Sequence, residues 1–250
     1  MIDPATSKAE SRKTRSAHRA NRFVNYRPRL IRQLLLFGLR GAMKLLLDIQ
    51  TVGLENVPRT GPMIAMINHI AFLDPVILTG FFPRHLISMA KVEAIEDKVI
   101  GPIIRAFDAF PVNRGAADRS ALRTAFDVLE AGLALLIAPE GTRSADGALG
   151  EAHVGVAFVA SRAHAPIVPV AISGTPQFKY NWKKLKRTTV TYRFGRPFYL
   201  EADDERITSD VLKQMTDEAM YQLAALLPPE QRGIYSDLEK ATTKYVRFAG

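Results

Sequence analysis

"LALLIAPEGTRSADG", residues 133–147, changes character at one point. Up to Ala138 every residue is apolar; from Pro139 onward come Glu140, Gly141, Thr142, Arg143 and Ser144. A short, continuous apolar run suits a strand buried on both faces. Polar residues set directly after it place chemistry at the strand's carboxyl end, where ligands gather in open α/β sheets. Two more runs repeat the layout. "MIAMI" (63–67) ends in Asn68-His69, and "AFPV" (109–112) ends in Asn113-Arg114. Working outward, "HLISMA" (85–90), "IVPVAI" (167–172) and "TVTYRF" (189–194) read as further strands. Helical patterns fall between them, near 75–82, 98–107, 118–131 and 152–163. This alternation predicts an α/β fold: a single domain with a largely parallel central sheet covered by helices. Thr208 or Ser209 can cap a helix running to about Leu227, stopped by "PPE".

The chain's 250 residues and 47% hydrophobic content allow one domain with a real core. Cysteine is absent, which removes disulfides, thiolate metal sites and thiol nucleophiles. The five histidines include no HExxH pair, so no metal is expected. Of the net charge of +9, residues 1–49 hold +8, with eleven Lys and Arg against three Asp and Glu. Such asymmetry points to a polyanionic partner, a membrane or nucleic acid, or to a solvated basic tail. Aromatics are not interleaved with the charges, and no nucleic-acid motif is present, so no nucleic acid is expected.

The segment "PRLIRQLLLFGLRGAMKLLLDIQ" places Leu30, Ile31, Leu34, Leu35, Leu39, Leu45 and Leu46 at helical spacing among Arg29, Arg32, Arg40 and Lys44. It reads as an amphipathic basic helix, with breaks allowed at Gly38 or Gly41. Such a helix lies in a bilayer interface or packs on the core; the coincidence of apolar bulk and basic charge favours the interface. No apolar stretch is long enough to span a membrane. The expected organisation is a basic tail (1–29), an amphipathic segment (30–50), a catalytic domain (51–230) and a C-terminal amphipathic segment (231–250).

In "AMINHIAFLDPVIL" (65–78), Asn68, His69 and Asp74 stand in an apolar run. They are either satisfied core residues or the lining of a site. The order Asn-His-x4-Asp, "FPVNR" (110–114), "PEGTRS" (139–144), "IVPVAI" (167–172) settles the choice by resemblance. The chain resembles the glycerolipid acyltransferases typified by 1-acylglycerol-3-phosphate acyltransferase, over about residues 50–200. The resemblance implies acyl transfer from acyl-CoA or acyl carrier protein to a glycerol hydroxyl of lysophosphatidic acid. The basic amphipathic segment adds an expected monotopic attachment to a membrane surface with anionic lipids, at the cytoplasmic face. Acyltransferases of this fold acting on another lysophospholipid or a glycolipid are the alternative.

The residues suit this chemistry. A thioester is already activated, so no acyl-enzyme and no cofactor beyond the donor is required. His69 can take the acceptor's hydroxyl proton, and Asp74 can hold the far ring nitrogen. A purely structural Asp74 would cap helix 75–82 instead. Arg114 and Arg143 are candidate phosphate ligands, with Gly141 and Thr142 beside them. Glu140 is expected to position an arginine or a hydroxyl, or to form a structural ion pair. Asn68, Asn113, Ser144 and Pro169 are supporting; Asn68 can hold the loop or bond Asp74. His153 stands where many members of the family carry a Lys, so it is either an anion contact or an inert helix residue.

Overall fold

The computed structural model describes residues 30–113 and 118–249. The basic tail (1–29) and Arg114 lie outside the described residues. The first element among the described residues is helix α1 (Leu30–Leu46), continuous through Gly38 and Gly41. A Cβ on either glycine would meet nothing within 4 Å, so neither marks a close packing contact. The helix ends earlier than residue 50. "LDIQTV" forms strand β1 (Leu47–Val52), pairing in parallel with strand β7 (Thr188–Phe194) at the edge of the sheet.

The central strands follow the expected pattern: β2 (Met63–Ile67), β3 (Leu86–Lys91), β4 (Phe110–Val112), β5 (Ala134–Ile137) and β6 (Ile167–Ser173). The sheet order is β1-β7-β6-β2-β5-β3-β4. The block β6-β2-β5-β3-β4 is wholly parallel. Its carboxyl ends therefore share one edge, and every loop with candidate chemistry leaves from that edge. β7 runs antiparallel to β6, and β1 parallel to β7. β1 therefore starts at the chemical edge, so α1 ends there.

Helices cover both faces. On one face, α1 and α2 (Asp74–Phe81) pack over Met63, Ala65, Ile67, Val168 and Tyr192. Arg40 Nε donates to the Gly80 carbonyl at 2.7 Å, and Gly80 has no room for a Cβ because Met43 Sδ would lie 2.5 Å from it. On the other face, α5 (Arg119–Glu130), α6 (Gly155–Ala163) and α8 (Ser209–Ala224) pack over Ile64, Met66, Leu135 and Ile167. Short helices α3 (Val92–Glu96) and α4 (Ile100–Ala106) join β3 to β4, and α7 (Phe178–Lys183) lies between β6 and β7. Thr208 is the cap of α8, accepting from the Val211 N–H at 3.3 Å.

Residues 231–249 join the main core. Strand β9 (Val246–Phe248) pairs with β8 (Phe198–Leu200), and Tyr245 and Val246 are buried. Buried Glu218 on α8 accepts from the Lys244 and Tyr245 N–H groups at 3.0 and 2.8 Å and from Thr242 Oγ1 at 2.7 Å. Those donors satisfy a carboxylate that would otherwise be costly to bury.

Among the described residues, no helix is long and apolar enough to cross a membrane. α1 nevertheless leaves Leu30, Leu34, Phe37 and Leu45 strongly exposed on one stripe.

Candidate active site

The site starts where β2 stops. Asn68 follows Ile67 and is 1% exposed. Its Nδ2 donates to the Ile172 carbonyl at 2.9 Å, and its Oδ1 accepts from the Ile172 N–H at 2.7 Å. The side chain thus imitates one more strand residue and fixes the exit of β2 against β6. It does not bond Asp74.

His69 comes next, with its side chain 12% exposed. Asp74 is the first residue of α2 and is fully buried. Its carboxylate points back into the 69–73 turn and does not cap the helix. Oδ2 accepts from the Ile70 N–H at 2.8 Å and the Ala71 N–H at 2.6 Å, and lies 3.2 Å from His69 Nδ1. A carboxylate only accepts, so Nδ1 carries the ring proton and Nε2 offers a lone pair. Nε2 has no protein partner among the described residues. Beneath the pair, the hydroxyl of buried Tyr192 donates to the Asp74 carbonyl at 3.4 Å. Burial, and then the Asp74 charge, push that phenol well above its ordinary range. Tyr192 carries no motif; it is one alternating residue of "TVTYRF", and only the fold brings it under Asp74.

The 139–150 loop folds onto the same spot. The Ser144 N–H donates to the His69 carbonyl at 2.8 Å, and the Gly141 N–H donates to the Ala138 carbonyl at 3.0 Å. The N–H groups of Thr142 and Arg143 have no partner among the described residues. Ser144 Oγ donates to Asp146 Oδ1 and accepts from the Gly147 N–H, so it shapes the loop. Thr142 and Arg143 are exposed, and Arg143 has no ion-pair partner among the described residues.

Gly141 has φ +66, a left-handed conformation that favours glycine, and the ring of His153 would lie 2.9 Å from any Cβ there. His153 precedes α6, is exposed, and bonds the Pro139 carbonyl through its N–H at 2.9 Å. The reading of His153 as a helix residue is therefore corrected. Proximity to Gly141 was not visible in their spacing of twelve residues.

Glu140 is 7% exposed and faces inward, where Oε2 accepts from the Gly150 N–H at 2.9 Å. Burial pushes its carboxyl above the usual carboxylate range, against the Gly150 and His69 N–H groups and the His69 ring. It forms no ion pair among the described residues. A carboxyl raised by burial binds its proton more tightly folded than unfolded. Its stability contribution is therefore least favourable above the folded pKa and harmless below the unfolded one. Glu140→Gln is expected to raise the melting temperature near pH 7, with the gain vanishing below about pH 4; thermal melts across pH check this.

Two supporting candidates stand apart from His69. Asn113 is exposed, and its N–H and Nδ2 bond Asp118 Oδ2 at 2.9 and 3.3 Å, bracing the entry to α5. Pro169 is buried in β6, and its carbonyl accepts from the Gly195 N–H at 2.9 Å. The structure also holds a second His–Asp pair that sequence reading missed, His85 Nε2 to Asp108 Oδ2 at 3.5 Å. Both residues precede their strands, so this pair sits at the opposite edge. No three metal-ligating side chains converge among the described residues.

The family model described as "Acyltransferase" matches residues 48–173, which span β1 through β6 and every motif above. The chain belongs to the acyltransferase family. It is therefore an enzyme of acyl transfer. Among its relatives, the 1-acyl-sn-glycerol-3-phosphate acyltransferase of Bacillus subtilis is 28% identical over 75% of this chain and 88% of its own. The Streptococcus pneumoniae protein of the same name is 29% identical over 65% of this chain and 56% of its own. The fold matches the crystal structure of the acyltransferase PlsC from Thermotoga maritima, with a TM-score of 0.57, 23% identity and 88% of each chain covered.

Proposed function

We propose that this acyltransferase moves a fatty acyl group from acyl-CoA or acyl carrier protein to the free hydroxyl of 1-acyl-glycerol-3-phosphate at a membrane surface. The observation that carries the reading is the His69–Asp74 pair, with the Arg143 loop bonded to the His69 carbonyl. His69 Nε2 takes the hydroxyl proton as the alkoxide oxygen attacks the thioester carbon. Asp74 holds the imidazolium formed. The tetrahedral intermediate then expels the thiolate, the C–S bond breaks, and the proton passes from His69 to sulfur. The unpartnered N–H groups of Thr142 and Arg143 are the candidate oxyanion donors. The acceptor's phosphate falls to Arg143, together with Arg114 and the His153 ring.

The test is an acyl-transfer assay of the purified chain, run with both donor types and with phosphorylated and phosphate-free acceptors. Transfer to lysophosphatidic acid above all other acceptors is expected. Equal transfer to a neutral acceptor would remove the phosphate assignment and favour the lysophospholipid or glycolipid alternative. Arg143→Ala is expected to raise the acceptor's KM by roughly tenfold or more, with the donor's KM little changed. Initial-rate kinetics with each substrate varied check this.

Attachment is assigned to the outer stripe of α1. Leu34 and Phe37 touch no core, so charging them leaves the fold intact. Met43 and Leu47 are buried, which makes truncation a poor test. Leu34→Glu with Phe37→Glu is expected to weaken binding to anionic vesicles on the order of 100-fold. Activity on a short-chain, water-soluble acceptor should persist. Sedimentation with vesicles and a parallel assay measure both.

A further inference from the structure

The connection between β6 and β7, residues 174–187, is absent from the motifs above and from the site. It carries three large apolar side chains with little protein cover: Tyr180 is 66% exposed, Trp182 53% and Leu185 92%. Leu185 adopts φ +52, an unfavourable left-handed conformation for a leucine, and uses it to present an apolar side chain to solvent. Trp182 has Phe178 beside it, yet all three side chains remain more than half exposed. Around them stand five basic residues between positions 179 and 187, all exposed, and no Asp or Glu occurs from 152 to 200.

The tip is held firmly at its base. Trp182 stacks on Phe178, with ring centroids 6.2 Å apart, and Phe178 packs on the core. Asn181 Nδ2 donates to Thr188 Oγ1 at 3.2 Å. Gly174, at φ +93, lets the chain turn where a Cβ would strike the Thr189 carbonyl. Arg187 Nε donates to the Leu47 carbonyl at 3.1 Å, the first residue after α1. The hairpin therefore leaves the sheet two residues past Ile172, which Asn68 clasps, and is tied to the end of α1. All three features lie at the edge where His69 opens.

We propose that this hairpin is a second bilayer contact, inserting Tyr180, Trp182 and Leu185 among the headgroups while its lysines meet anionic lipid. The inference rests on the membrane-surface reading above and extends it. Tyr and Trp are amphipathic rings suited to the headgroup layer, and basic residues there are drawn to anionic lipid. Exposed apolar side chains and basic side chains alternate along this connection, so both can meet one headgroup layer. An acidic protein such as a carrier would match the charge but would need a pocket to receive Leu185. With α1 and the hairpin both in the interface, the sheet edge bearing His69 faces the lipid, and the acceptor reaches the base without leaving the bilayer surface.

Trp182 is the chain's single tryptophan, so its fluorescence reports on this hairpin alone. The full chain is mixed with phosphatidylglycerol–phosphatidylcholine vesicles, with and without lipids brominated on their acyl chains. A blue-shifted emission quenched by the brominated lipids is expected. Lys183→Gln with Lys184→Gln should weaken binding roughly tenfold or more at low salt and much less at high salt. The same variant should retain activity on a water-soluble acceptor. Sedimentation with vesicles while the emission stays unchanged would overturn the hairpin contact and leave the membrane reading standing. Failure to sediment with any vesicle would overturn both. A shift produced by an acidic carrier protein, and not by vesicles, would give the hairpin a protein partner and overturn the proposal.

Discussion

Replacing His69 by alanine is expected to lower kcat by about 10²–10⁴-fold while leaving the protein folded. The imidazole is mostly buried, but among the described residues it makes one polar contact, to Asp74 Oδ2. Without the ring, that carboxylate still accepts from Ile70 and Ala71, so the 69–73 turn keeps its anchor. The Ser144 N–H still meets the residue 69 carbonyl, because that bond uses backbone only. What disappears is the lone pair at Nε2 and with it the means of removing the hydroxyl proton. Steady-state kinetics beside a thermal melt measure both quantities. A folded His69→Ala protein with wild-type turnover would mean that another group is the base.

Asp74→Asn is expected to cost two to four orders of magnitude in kcat as well, with the acceptor's KM little changed. The amide is close in shape to the carboxylate. With its oxygen in the place of Oδ2, it accepts from the same N–H groups, and its NH₂ occupies the position of Oδ1, which is buried without a partner. The turn survives, but the charge that stabilises an imidazolium is gone. With the amide reversed, its NH₂ faces His69 Nδ1 and two N–H groups, and the ring is driven to the wrong tautomer. Both arrangements stop the proton transfer. Asp74→Ala separates chemistry from scaffold. It strips two part-buried N–H groups of their acceptor, and is expected to lower unfolding free energy by about 2–4 kcal/mol besides abolishing turnover. Denaturant titration of the two variants distinguishes them. Equal stability loss in Asn and Ala variants would make Asp74 chiefly structural.

The parallel block of the sheet was legible along the chain. Strands such as "MIAMI" and "ALLI" are apolar at every position, which only a strand covered on both faces tolerates, and each ends abruptly in polar residues. That pattern is local, so it could be read along the chain. It also placed His69 and Asp74 in reach of one another, since five residues across a strand-to-helix turn leave few alternatives. The family motifs, likewise, are contiguous words.

Tertiary structure decided everything that depends on residues distant in sequence. "LDIQTV" is a strand because β7 offers an open edge about 140 positions later, while its own composition continues smoothly from an amphipathic helix. His85 and His69 are both histidines near an aspartate, and only sheet direction assigns one pair to each edge. Asn68 is clasped by Ile172, 104 residues away, and Tyr192 lies beneath Asp74, 118 residues away. Gly141 answers to the ring of His153 as much as to its own turn. The connection at 178–187 falls between two expected strands and carries no motif. Which of its aromatic and aliphatic groups would find cover could not be read from the chain, because burial is settled by neighbours that folding supplies: Phe178 reaches the core, while Tyr180, Trp182 and Leu185 stay largely exposed.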